Sequence, residues 1–322
     1  MSRTKKPKAD ASDTSPDAPV WAGRRVAMHL IVAGLLAAGC AVAFCYMRTY
    51  VDQTAAGPTA PPKVVFKNRP PWMTDLLADQ LARSFRPADA RSVFDHDVLV
   101  QTSARLAANP WVAKVNQVRR VYGAAPGDTI EVDCDFRAPM ALVRSGSDWW
   151  FVDAQGVKLP ESFRDADIPK VVFGRDGRPN IRQIDGVRWP APRAAGGRWP
   201  GDDLAAALDL VRRLYGQPFA DDVVKVNVDN YAGRVDPREA QIVLVTKYGT
   251  QVRWGRPWSA TDAFIEVRPE TKVARLRAIV RDYGRVDAKY PWIDIRFDKM
   301  TFPALGTDPT TAQTAGAQEG AR

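Results

Sequence analysis

Few residues in this chain have the type and spacing to do chemistry. Outside one apolar run there is a single histidine, His96, within Asp95-His96-Asp97. Such a triplet suits a metal ion or a histidine–carboxylate pair, but no second histidine or cysteine is spaced to complete a ligand set. Read structurally, Asp95 or Asp97 caps a following helix and His96 stands exposed beside it. Cys134 alternates with Ile130, Val132 and Phe136, which makes it a buried apolar residue rather than a nucleophile. Glu131, Asp133 and Asp135 occupy the opposite face of the same stretch, and acids at that spacing are ordinarily solvated rather than an acid/base pair. No glycine-rich phosphate loop, nucleophile elbow, His-Glu-x-x-His or Cys-x-x-Cys occurs. The chain is therefore expected to be no enzyme and to bind no metal or cofactor.

The element that governs the placement of everything else is the uncharged run from Val26 to Tyr46. Its 21 residues form a helix of about 31 Å at roughly 1.5 Å per residue, matching the ~30 Å hydrocarbon core of a bilayer. A cleaved signal is disfavoured, because the run is long and Phe44-Cys45-Tyr46-Met47-Arg48 makes a poor cleavage site. His29 lies one turn from the cytoplasmic end and reads as an interfacial residue rather than a proton relay. Arg3, Lys5, Lys6, Lys8, Arg24 and Arg25 precede the run, so the N-terminus is expected in the cytoplasm and the body across the inner membrane.

Of three cysteines, Cys40 and Cys45 lie in the apolar run, so no intrachain disulfide framework holds the exported part together. The net charge of +9 raises nucleic acid as a partner. Dispersed, acid-interleaved basic residues and export from the cytoplasm argue instead for anionic lipid or an acidic partner.

The fold class expected is α+β: a single N-terminal transmembrane helix, a small α+β domain, then a larger mixed β-sheet domain with flanking helices. The boundaries are a cytoplasmic tail (1–25), the transmembrane helix (26–47), a Gly/Pro/Ala/Thr linker (48–62), a first domain (63–144), a second (145–303) and a disordered tail (304–322). In the first domain, Lys63–Phe66 is a strand, and Trp72, Leu76, Leu77, Leu81 and Phe85 recur as on a helix opening after Pro70-Pro71. A second helix runs from Asp97 to Ala108 and stops before Asn109-Pro110. A bulged strand, Val115–Tyr122, and a cleanly alternating one, Thr129–Phe136, follow.

In the second domain, Asp153-Ala154-Gln155-Gly156 turns a hairpin. Residues 186–201 form an irregular surface insertion, and Asp202-Asp203 cap a helix carrying Leu204, Leu208, Val211 and Leu214. Strands follow at Val223–Asp229, Gln241–Thr246 and Gln251–Trp254, then a helix through Val273, Leu276, Ile279, Val280 and Tyr283, and a last strand, Trp292–Phe297.

Several short patterns occur in a specific order. They are Asn109-Pro110-Trp111-Val112, Val118-Arg119-Arg120-Val121, Asp128-Thr129-Ile130-Glu131-Val132 and Arg137-Ala138-Pro139-Met140-Ala141, then Phe151-Val152-Asp153-Ala154-Gln155-Gly156-Val157. With Lys272-Val273-Ala274-Arg275-Leu276 and Ile293-Asp294-Ile295-Arg296-Phe297, they resemble the bacterial cell-division family FtsQ/DivIB. The first domain resembles its POTRA domain, with Pro110, Trp111, Val112, Arg120 and Pro139 as motif positions, and the second its β domain. The likeness covers roughly Lys63 to Thr301. Departures are the Gly123-Ala124-Ala125 insertion, Phe136 in place of a frequent acid, Phe297 in place of a frequent tyrosine, and residues 186–201.

The resemblance implies a non-enzymatic scaffold at the division septum. It would bind small bitopic proteins of the FtsL/FtsB kind and help control septal wall synthases. The expected contact is strand addition at Trp292, Ile293, Asp294, Ile295, Arg296 and Phe297. There Ile293, Ile295 and Phe297 would face the core, while Asp294, Arg296 and Asp298 would point outward. Alternatively, the chain itself covers this strand. Two other functions stay open: a membrane-anchored POTRA adaptor in secretion or envelope assembly, and an envelope glycan-binding module stacking sugars on Trp149-Trp150 or on Trp189 and Trp199.

Overall fold

A computed structural model describes residues 20–54, 61–87, 96–121, 128–260 and 266–303. Outside these lie most of the expected cytoplasmic tail, residues 55–60 of the expected linker, Asp95, the Gly123–Ala125 insertion and the expected disordered tail.

Helix α1 spans Val20–Thr54, and within its Arg24–Val51 part an 18-residue window reaches a mean hydropathy of 2.3. Leu, Ala and Gly face every direction around it, and none of that stretch is buried against the rest of the chain. Among the described residues it is the one helix long and apolar enough to cross a membrane.

The first unit holds β1 (Lys63–Phe66), α2 (Asp75–Phe85), α3 (Asp97–Ala108), β2 (Val112–Val121) and β3 (Thr129–Phe136). β3 is the central strand of a three-stranded sheet in the order β1-β3-β2, with β1 parallel and β2 antiparallel to it. The alternation along β3 buries Ile130, Val132 and Cys134 beneath the helices, against Ala78, Leu81, Phe85, Val98 and Leu106. α2 begins later than the prolines suggest. Thr74 is its N-cap, its hydroxyl accepting from the Leu77 N–H at 3.3 Å. Trp72 therefore precedes the helix and stacks on Trp111 with centroids 5.9 Å apart. The bulge expected in β2 is present as two register irregularities, between Val112 and Lys114 and between Val115 and Gln117.

The second unit holds β4 (Pro139–Ser145), β5 (Asp148–Asp153), β6 (Lys158–Arg164), α4 (Ile168–Val172), β7 (Arg182–Asp185), α5 (Asp202–Leu214), β8 (Val223–Asn227), β9 (Ile242–Thr246), β10 (Gln251–Gly255), α6 (Pro269–Tyr283) and β11 (Trp292–Asp294). Its eight strands run in the order β11-β10-β9-β8-β7-β4-β5-β6. The hairpin turn before β6 carries Gly156 at φ 78°, a conformation that strains any residue with a Cβ. α5 and α6 cover one face through Leu204, Leu208, Leu210, Val273, Leu276 and Ile279, enclosing Trp254 and Phe219. On the other face, α4 shields Leu142 and Trp149.

Three expectations are corrected here. Residues 139–144, placed above in the first domain with no strand expected there, belong to β4, which pairs with β5 and β7 in the second sheet. Gly201, not an aspartate, is the N-cap of α5; Asp203 is instead buried, accepting from the Arg188 N–H at 2.7 Å and pairing with Arg234 at 3.0 Å. Residues 186–201 are not merely superficial, because Trp199 is 3 % exposed and belongs to the main core.

Candidate partner-binding edge

The residues singled out for possible chemistry are held in structural roles. His96 occupies the N-cap of α3 without a side-chain capping bond, so neither expected aspartate serves as the cap residue. Asp97 begins the helix, where its charge favours the N-terminal dipole. Cys134 is buried, and burial pushes its thiol pKa up to about 12, with the Asp133 and Asp135 charges adding to the shift. At neutral pH it is a protonated core residue. The acidic row on the opposite face is paired: Glu131 with Arg119 at 2.6 Å, Asp133 with Lys67 at 3.0 Å. The Lys67 hydrogen bond holds the Asp133 carboxyl below its usual range, helped by Asn116 and Asn68. No group of three or more His, Cys, Asp or Glu among the described residues is arranged to hold a metal ion.

Of the five motif positions named above, Pro110, Trp111, Val112 and Pro139 lie near the junction of the two units, and Arg120 lies at the far end of β2. Asn109 Oδ1 accepts the Trp111 N–H at 2.9 Å, turning the chain from α3 into β2 through Pro110. Trp111 and Val112 are each 5 % exposed in the first core. Arg120 pairs across the sheet with Ile130. Pro139 opens β4 in the second sheet.

The six residues of the expected contact lie at the C-terminal end of the large sheet. β11 is its edge strand, parallel to β10, with Trp292, Ile293 and Asp294 opposite Gln251, Val252 and Arg253. Ile293 and Ile295 enter the core fully, as the alternation requires. The next expectation fails. Asp294 and Arg296 are buried, at 5 % and 6 % exposure, instead of pointing outward, and Phe297 is 41 % exposed instead of facing the core.

For Arg296 and Phe297 the cause is that the strand is only three residues long, while Asp294, still within it, is covered by the Arg296 side chain. Beyond Asp294 the chain turns, and strand parity ceases to govern where side chains point. In that turn Arg296 folds back on Asp294. Its Nη2 donates to Asp294 Oδ2 at 2.8 Å, its Nε to both carboxylate oxygens at 3.1 Å, and its backbone N–H to Oδ1 at 3.0 Å. Arg296 Nη1 donates to the Arg238 carbonyl at 2.9 Å, and the guanidinium carbon lies 4.8 Å from the Phe297 ring centroid. From α6, Arg275 clamps the turn by donating to the carbonyls of Ile295, Phe297 and Asp298.

This turn brings residues 299–303 alongside β11. The Asp294 N–H donates to Thr301 O at 2.9 Å, and the Thr301 N–H returns to Asp294 O at 3.0 Å. The chain thus covers its own strand at one pair, which was the alternative raised above. In such a doubly bonded antiparallel pair the residues on either side direct their backbone groups away from the partner strand. The outermost row of N–H and C=O groups therefore belongs to Met300 and Phe302. Phe302 packs on Tyr290, centroids 4.9 Å apart, and Pro303 has no N–H with which to continue the pairing toward Trp292. Sequence reasoning missed Met300 and Phe302; the signal was Pro303, which ends a strand-forming run.

The opposite edge is closed differently. β6 carries Pro160, which cannot donate, and residues 196–198 pair with Val157 and Lys158. No protein-family model matches this chain, and no curated protein matches it in sequence.

Proposed function

We propose that this protein is a bitopic membrane scaffold of the FtsQ/DivIB kind. α1 fixes it in the inner membrane, the body lies on the far side, and small FtsL/FtsB-like bitopic proteins dock as an added strand at the C-terminal edge. In this reading the scaffold acts on septal wall synthases through those partners and does no covalent chemistry itself. The observation that carries the proposal is the C-terminal edge of the eight-stranded sheet, covered by the chain at the single Asp294–Thr301 pair, from which antiparallel geometry turns the Met300 and Phe302 backbone groups outward. An unpaired row of that kind is a template for strand addition. The resemblance of the ordered motifs between Lys63 and Thr301 supplies the identity of the partners.

The glycan-module alternative loses support from burial. Trp149 and Trp199 are each 3 % exposed, so neither ring is available to stack on a sugar, and Trp189 alone, at 50 %, stands out from the insertion. The POTRA-adaptor alternative differs in location. A fluorescent fusion of the full chain recruited to midcell, with unseparated cells on depletion, supports the division reading; a uniform envelope signal and normal separation overturn it. For the edge itself, Met300→Pro deletes one outward N–H. It should cut co-purification of small coiled-coil membrane proteins at least tenfold, while Met300→Leu leaves it intact.

A further inference from the structure

Residues 186–201, between β7 and α5, touch the far edge of the large sheet and the first unit together. The Gly196 N–H donates to Lys158 O at 2.8 Å, the Lys158 N–H to Gly197 O at 3.0 Å, and the Trp199 N–H to Gly156 O at 2.7 Å. Lys158 is 4 % exposed. Its ammonium donates to Pro192 O at 2.5 Å and lies 3.9 Å from the Trp150 ring centroid. Burial lowers its pKa, consistent with an ammonium enclosed by carbonyls and a ring rather than by water.

The segment's other end is anchored by Trp199 in the core, whose Nε1 donates to Trp189 O at 2.9 Å. Its tip backs onto the first unit: a Cβ built on Gly196, at φ 84°, would lie 3.6 Å from the Pro110 Cβ. Two further ties cross the same junction. The Arg137 N–H donates to Trp111 O at 2.8 Å while its guanidinium pairs with Asp153 at 2.8 Å. Leu159 of β6 is buried within the first unit's core, and Phe151 packs against it.

We infer that residues 186–201 are a bracket that locks the two units into one rigid arm. The bracket seals the start of β6 and holds the opposite, C-terminal edge at a set distance and orientation from the first unit. An irregular loop is suited to this, because it must turn at Gly196 (φ 84°) beside Pro110 while presenting the Pro192 and Arg193 carbonyls to a buried ammonium. The inference concerns the body alone and does not depend on which partner, if any, uses the free edge.

The test uses the full chain in lipid nanodiscs, with Cys40 and Cys45 replaced by alanine. Spin labels go at Leu76→Cys on α2 and Tyr215→Cys after α5, positions 68 % and 82 % exposed. Pulsed dipolar spectroscopy of the intact bracket should give one narrow distance peak. Replacing residues 190–197 by two glycines should at least double its width, with near-ultraviolet circular dichroism reporting that the buried tryptophans stay packed. Where that deletion unfolds the second unit, Gly196→Trp decides: it keeps the chain length, drives a ring against Pro110 and should displace or broaden the peak. A broad distribution in the intact chain, or an unchanged peak in the folded variants, overturns the inference.

Discussion

Replacing Asp294 by alanine tests the buried ion pair behind the C-terminal edge. Each side chain of the Asp294–Arg296 pair is 7 % exposed, and Asp294 receives both the guanidinium and the Arg296 backbone N–H. Removing the carboxylate strands a buried guanidinium with one remaining acceptor, the Arg238 carbonyl. Breaking one side of such a pair costs about 3–5 kcal/mol, whereas exchanging both partners for apolar residues of similar volume is close to neutral. In a unit of this size 1 kcal/mol corresponds to roughly 2–4 °C, so Asp294→Ala should lower the melting temperature of the second unit by on the order of 10 °C. Asp294→Leu combined with Arg296→Met should restore most of the loss. Amide hydrogen exchange at Val252 and Ile293 follows the edge directly and avoids treating a two-unit chain as two-state. Equal losses in Asp294→Ala and the double variant would refute the reasoning, since stability would then depend on the charges themselves. A loss below about 1 kcal/mol would mean that the pair behaves as a solvated surface bridge.

Three further outcomes are expected. Burial works to raise the Asp287 pKa, but the hydrogen bonds from Arg285, Thr250 and the Lys289 N–H outweigh it and hold the carboxyl below its ordinary value of 3.8. A depressed carboxyl contributes stability above its unfolded pKa and loses it as pH falls through the folded one, so Asp287→Asn should flatten the acid limb of a stability profile below about pH 4. Gly186→Ala should destabilise the second unit by several kcal/mol in urea titration, because φ is 81° and the new Cβ would lie 2.4 Å from the Asp229 nitrogen. Cys134, with its pKa near 12, should resist iodoacetamide at pH 8 in the folded chain and react promptly once urea unfolds it.

Much of the first unit was legible because local rules and packing agree there. Ile130, Val132 and Cys134 alternate with acids in a strand solvated on one face, and α3 ends where Asn109-Pro110 forces it to. The domain boundary was drawn after residue 144 rather than before β4 because only Arg137 and Ala138 separate β4 from β3, too short a stretch to read as a boundary. Its run Ala141-Leu142-Val143 is apolar on both faces, α4 covering one and α5 the other, so no alternation marked its sides. At the edge, alternation was extended past Asp294, where only one long bond, from the Ile295 N–H to Arg253 O at 3.4 Å, still joins the chain to β10. Burial of Asp294 and Arg296 depends on their meeting across a turn and on a carbonyl 58 positions away, at Arg238, which no local pattern encodes.

Past the 21-residue uncharged run, which itself matches the hydrocarbon layer, α1 continues for eight residues, Met47 to Thr54, about 12 Å further. Nine peptide steps separate Thr54 from Lys63 at the start of β1 and reach at most about 32 Å when taut. With α1 as anchor, this short leash confines the body to a thin shell above the lipid surface. A docking segment must then approach from within that shell, which favours proteins that are themselves held in the same bilayer over freely diffusing ones.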